Sequence, residues 1–113
     1  MSERPVKILL EDILDSIRKI ESYLNSTDLE HFQNNEMMSD AVVRNIEVIG
    51  EAINKLPESF LNSNHEVEWH KAISMRNRLI HGYFEIDYKI VWNTCKSILP
   101  SLKIQIESLH NTL

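Results

Sequence analysis

Apolar residues recur along this chain at steps of three and four, the period that buries one face of an α-helix. Val6, Leu9, Leu10, Ile13, Ile17, Ile20 and Leu24 form the first stripe, with charges on the opposite face, and predict a helix over residues 5–25. Pro5 suits a first helical position, where its missing N–H has no partner to lose. The segment NSTDLEHFQNN (25–35) breaks the period and reads as a polar connection, with room for a short helical turn after Thr27. Met38, Val42, Ile46, Ile49, Ile53 and Leu56 make a second stripe over 36–56, and Pro57 follows its end. Residues 57–66 read as a loop or a short helix. A third helix is expected from about Glu66 to His81, stopped by Gly82. Asp87 is the expected N-cap of a fourth, which carries Ile90, Val91, Cys95, Ile98, Leu102, Ile106 and Leu109 and which Pro100 should kink or divide. There is no internal repeat, low-complexity tract or domain boundary. Short connections favour a single all-α domain over residues 1–113, an antiparallel four- to five-helix bundle.

Composition narrows the function more than the fold. The chain has 113 residues, 42% hydrophobic and 26% charged, which suits one globular domain with one modest core. Two glycines and three prolines leave few of the turn signals that an all-β chain requires. A formal charge of -5 excludes a global basic field, so contact with a polyanion needs a local patch or one assembled between chains. Cys95, alone of its kind, cannot form an internal disulfide, fits a reducing cytoplasm and lies on the fourth stripe as a core residue. The first residues carry charges inside their apolar run, unlike a signal peptide. No segment approaches the ~20 apolar residues that cross a bilayer. A cytoplasmic protein without a membrane partner is expected. His31, His65, His70 and His110 lack metal-ligand spacing, and no glycine-rich phosphate loop is present, so neither metal nor cofactor is expected.

One position contradicts the pattern. At about 100° per residue, with Trp69 at the centre of the third stripe, Ala72, Ile73, Leu79 and Ile80 fall within about 80° of it. Arg76 falls about 20° from that centre, in the middle of the apolar face. His81 lies on the flank near Asn77 and His70, while Lys71 and Arg78 point away. Burying an unpaired guanidinium costs on the order of several kcal/mol. Arg76 is therefore either paired across helices, with Glu47 or Glu51, or open to a wet cleft. His81 alone reads as a helix-end cation, and Tyr83 alone as a lid on the core. Together the three supply a fixed cation, a group titrating near neutrality and a phenol, a set that suits a phosphate. Attack by a ribose 2′-hydroxyl on its own phosphate needs no metal. It needs a proton acceptor or donor, which His81 could be, and a cation for the growing phosphorane charge, which Arg76 could be. A two-fold dimer joining these helix ends would supply a second histidine. On the second helix, Gly50 costs ~1 kcal/mol against alanine, which implies the close approach of something. Glu51 points about 180° from Val42, either as a solvated side chain or as one that orients a motif residue in a dimer cleft. Asn45 sits on the stripe as a candidate buried partner of Arg76 or Tyr83.

The stretch RNRLIHGYF (76–84) matches R-x-x-x-x-H-x-Y, the signature of HEPN-domain toxins of the HepT type. Asn77, after the arginine, fits the wider HEPN pattern. RNIEVIGEAINKLP (44–57) resembles that family's I-G-E-A helix, and helix order and length match over essentially the whole chain. The resemblance implies a helical homodimer with the motif in a cleft at the interface, Arg76, Asn77 and His81 catalytic, and a metal-independent endoribonuclease acting on RNA as the toxin of a toxin–antitoxin pair. It also implies a partner, the MNT-type nucleotidyltransferase antitoxin, which transfers AMP from ATP to the motif tyrosine, here Tyr83. The rival reading is a non-catalytic dimeric module that binds this enzyme and is modified by it.

Overall fold

A computed structural model describes the backbone of residues 4–81 and 86–113, and the side chains of the same residues apart from 79–81. Among the described residues the chain forms seven helices: α1 (Val6–Leu24), α2 (Leu29–Asn34), α3 (Glu36–Lys55), α4 (Glu58–Ser63), α5 (Trp69–His81), α6 (Tyr88–Ser97) and α7 (Leu99–Asn111). The four expected helices are α1, α3, α5 and the divided α6–α7, and the six-residue α2 and α4 fill the two connections. The fold is an all-α bundle.

The stripes meet as their period requires. Helix α3 packs against α1 and α5, and α1 also packs against α7. Ile13, Ile17, Ile46, Ile49, Ile53 and Ile106 are fully buried where these faces join. Burial of each such side chain contributes about 1.5–3 kcal/mol. Three cross-helix pairs show the direction of α7 against α1. His110 Nε2 lies 3.0 Å from Glu11 Oε1, Arg18 Nη2 lies 3.8 Å from Glu107 Oε2, and Lys103 Nζ lies 2.9 Å from Glu21 Oε1. The α7 numbers fall as the α1 numbers rise, so the two helices are antiparallel. Each pair is partly exposed and stabilises little.

The helix starts follow their caps. Asp28 accepts a hydrogen bond from His31 N (2.9 Å), and this bond with the His31 ring contact holds its carboxyl below the usual range. Asn35 accepts from Met38 N (3.0 Å) at the start of α3. Asp87 accepts from Lys89 N (3.0 Å) and Ile90 N (3.3 Å), as expected of the α6 cap. Pro100 divides the fourth helix and does not merely bend it: it occupies the first turn of α7, where its missing N–H is harmless, after α6 has ended at Ser97.

Four details depart from the sequence pattern. Phe32 lies in the polar connection yet is fully buried, with its ring 6.1 Å from Tyr88 and 5.5 Å from Trp92 between centroids. Helix α5 starts at Trp69 and not at Glu66. The preceding turn is held by other partners: Val67 N donates to Asn64 O (3.1 Å), Glu68 N to Gln105 Oε1 (3.2 Å) and the Trp69 indole to Asn64 O (3.0 Å). Ile90 is 42% exposed, because α6 turns Val91 and Cys95 inward in its place. Met75, rather than a continuation of the Trp69 row alone, adds to the buried face of α5. Cys95 is core as expected, and burial pushes its thiol up to about 12, which leaves it protonated and unreactive near neutral pH. Among the described residues no helix is long and apolar enough to cross a membrane.

Candidate active site

The arginine on the apolar face sits where α5 crosses α3. Trp69 and Ala72, two turns and one turn before it, are buried in the core and fix which side of α5 faces inward. Position 76 falls on that side, as the projection expects, and Arg76 is half-buried. Its stem lies on the bare backbone of Gly50. A methyl group added at Gly50 would stand 2.6 Å from Arg76 Cγ and 2.9 Å from both Cβ and Cδ. The mid-helix glycine therefore does admit a close approach, and the approaching group is the arginine itself.

The side chain is divided along its length. Arg76 Nε is buried and has no hydrogen-bond partner among the described residues. Further out, Nη1 donates to Asn77 Oδ1 at 3.3 Å, a contact at the surface. The methylenes and Nε are thus inside and Nη1 reaches the surface, close to the arrangement by which long cationic side chains cover apolar surface and keep their ends in water. Among the described residues no carboxylate lies within ion-pair distance of Arg76. Glu51 is exposed and Glu47 half-buried, and neither pairs with it there. Of the two sequence-based alternatives, a cross-helix ion pair and an open cleft, the first has no carboxylate partner among the described residues.

The other expected site residues divide into three groups. Asn77 is exposed and touches the guanidinium directly. Asn45 is buried at 8% exposure, and its amide donates to the Ala41 carbonyl one turn back on its own helix at 2.8 Å. His81 is the last residue of α5, and its side chain lies outside the described residues, as do Gly82 and Tyr83 entirely. The expected helix stop at Gly82 and the mutual geometry of arginine, histidine and tyrosine belong to that undescribed stretch.

A groove of about 320 Å³ that the sequence did not reveal opens between α5 and α6. Met75, Val91 and Ile98 line its apolar side, with His70, Lys71 and Arg78 exposed at its edge. Lys71 is paired with Glu68 at 2.7 Å, so Arg78 carries most of the local positive charge. Periodicity assigned Lys71 and Arg78 to the side of α5 away from the apolar centre. It could not show that α6 runs beside them and turns that side into a groove. Among the described residues no three His, Cys, Asp or Glu side chains are grouped so as to hold a metal ion.

Known proteins extend this picture. The family model described as "Ribonuclease HepT-like" matches residues 13–109. A protein of Methanocaldococcus jannaschii named "Putative RNase" is 38% identical over 107 residues, covering 95% of this chain and 98% of the relative. "Probable ribonuclease HepT" of Thermococcus cleftensis is 37% identical over 108 residues, covering 96% of this chain and 98% of that one. A further "Putative RNase", from Caldanaerobacter subterraneus, is 33% identical over 100 residues, covering 88% of this chain and 89% of the relative. No solved structure matches the chain.

The stability of the arginine site follows from its geometry. Truncating one partner of a buried ion pair costs about 3–5 kcal/mol. Arg76→Ala should instead cost about 1 kcal/mol, mainly lost stem packing, within the ordinary range for a half-buried residue. At about 4–8 °C per kcal/mol for a domain near this size, the fall in melting temperature should stay below about 8 °C. A fall two or three times larger would show that a carboxylate depends on Arg76 after all. The match of the family model over residues 13–109, with relatives that pair with the chain from end to end, establishes that the chain belongs to the HepT-like ribonuclease family.

Proposed function

We propose that this protein is the toxin of a toxin–antitoxin pair and cuts RNA without a metal ion, using Arg76 and His81 at the interface of a homodimer. The observation that carries the reading is the arginine whose stem is buried on α3 and whose charged end emerges beside Asn77 with no carboxylate partner among the described residues. A cation held in that way is available to a phosphate. Membership of a ribonuclease family supplies the substrate class.

The chemistry follows from the side chains. The ribose 2′-oxygen attacks the adjacent phosphorus and gives its proton to a histidine. Charge builds on the non-bridging oxygens of the phosphorane, where a preorganised guanidinium stabilises it more than the ground state. The 5′-oxygen of the next nucleotide then departs and takes a proton, leaving a 2′,3′-cyclic phosphate. One chain has one motif histidine, so a two-fold dimer supplies His81 twice, once as acceptor and once as donor. Asn77 holds the outer nitrogen of Arg76. Glu51, exposed on α3 next to Gly50, faces the partner subunit and orients a motif side chain, and Asn45 supports α3 from within. The groove edge at His70 and Arg78 lets the RNA backbone meet an otherwise acidic chain.

Control falls to a second protein, an MNT-type nucleotidyltransferase in the cytoplasm. It transfers AMP from ATP to the Tyr83 hydroxyl with release of pyrophosphate, and so places a phosphodiester charge beside Arg76, where it competes with RNA.

Purified protein in excess chelator should cut RNA to products ending in 2′,3′-cyclic phosphate, and His81→Ala should abolish the cut while the helical circular dichroism spectrum stays the same. No cleavage by the dimer, or cleavage only with added metal, would return the protein to a non-catalytic module or to a different chemistry. Incubation with the partner enzyme and ATP should add AMP to Tyr83 alone, as read by intact mass and peptide mapping. Tyr23 lies within α1 and Tyr88 opens α6, so an adduct on either would contradict this assignment.

A further inference from the structure

We infer that Gly50 is a positioning residue for the motif arginine: by having no side chain it leaves a slot in α3 that seats the stem of Arg76 and directs the guanidinium outward. The inference rests on the reading of Arg76 as the cation that meets phosphate. The slot itself is visible without that reading.

Every non-glycine residue at position 50 would carry a Cβ, and this Cβ would meet three consecutive carbons of Arg76 at 2.6, 2.9 and 2.9 Å. Carbon atoms pack at about 3.5–4.0 Å, so all three contacts are too close. They are not with the free end of a flexible chain, which could swing aside. Arg76 Cβ is fixed to the backbone of α5, and Cγ and Cδ set the path that leads to the buried Nε. An alanine at 50 therefore forces one of two changes. Either α5 moves away from α3, or Arg76 leaves its path and takes its guanidinium with it. The first shifts the cation, together with Asn77, relative to α3, and the second breaks its hydrogen bond to Asn77 at the surface.

Helix propensity points the same way. Glycine is a poor choice in the interior of a twenty-residue helix whose two neighbours, Ile49 and Glu51, are ordinary helix residues. Alanine would favour α3 on its own. A glycine at this position is understood if the arginine's seat matters more than the helix's intrinsic preference.

The experiment reads the arginine directly. In ¹⁵N-labelled full-length protein the buried Arg76 Nε–H should give a side-chain resonance that exchanges slowly with water and disappears in Arg76→Lys. In Gly50→Ala that resonance should shift and exchange faster, and kcat for RNA should fall at least tenfold. An unchanged resonance overturns the slot, and a shifted resonance with kcat intact overturns the positioning role. If Gly50→Ala does not fold, the double variant Gly50→Ala/Arg76→Ala decides. It removes Cγ and Cδ and leaves only the Cβ contact at 2.9 Å, so it should regain a cooperative fold that melts below wild type, whereas a double variant no more stable than Gly50→Ala shows that the glycine serves backbone packing and not the arginine stem. If the wild-type protein cuts no RNA, the ribonuclease reading falls, and the resonance still decides the slot.

Discussion

A guanidinium is a flat charged group at the end of three methylenes, and two packed helices that offer it no carboxylate hold it at least cost if the stem is buried and the outer nitrogens are not. The contact between α3 and α5 meets that condition. Gly50 removes the one side chain that would stand in the way, the stem of Arg76 fills the space, and the outer nitrogen reaches Asn77 at the surface. Had the side chain been buried to its tip, it would have needed a carboxylate to offset a desolvation penalty of several kcal/mol on the order given for buried ions. Had α3 carried an ordinary residue at position 50, the stem could not have lain there at all. The distance between the two helices and the placement of the cation are set by the same contact.

The remainder of the bundle keeps that contact in register. Helix α3 is anchored through Val42, Ile46, Ile49 and Ile53, all fully buried, while α5 is anchored through Trp69 and Ala72. The Trp69 indole, bonded to Asn64 O, and Glu68 N, bonded to Gln105, together hold the turn at which α5 begins. Aromatic packing of Phe32 on Tyr88 and Trp92 joins α2 to α6 at the start of the last helix pair. The arginine proposed to meet phosphate thus sits on a thirteen-residue helix, and the charged pairs between α1 and α7 lie elsewhere on the molecule.

Periodicity was enough for the elements whose burial is one-sided and long. The stripes of α1 and α3 contain the fully buried isoleucines, and Asp87 and Pro100 mark boundaries through hydrogen bonds that residue type alone implies. Short elements were less legible. Phe32 belongs to a six-residue helix with too few turns to show a period, and its burial depends on Tyr88 and Trp92, more than fifty residues away in sequence. The start of α5 depends on Gln105, which no local pattern contains. Ile90 follows the α6 stripe but lies on its outer margin, so that it lines a groove instead of the core. At the site, the arginine was anomalous from its sequence position and Gly50 was anomalous from helix propensity. That the two lie against each other is a fact of tertiary structure, because a helical wheel describes one helix and the contact involves two.

The central claim is that Arg76 occupies an apolar face for the chemistry of its guanidinium and not for the stability of the fold. Arg76→Lys tests it most directly, because lysine keeps the charge and most of the stem but loses the buried Nε donor and the planar fork. Thermal melting and RNA cleavage should be measured on the same preparation. The account predicts a melting temperature within a few degrees of wild type and a cleavage rate lower by at least about a hundredfold, the lower end of what one lost transition-state donor costs. Cleavage at the wild-type rate, or a loss of activity fully explained by a fall in melting temperature, would contradict it.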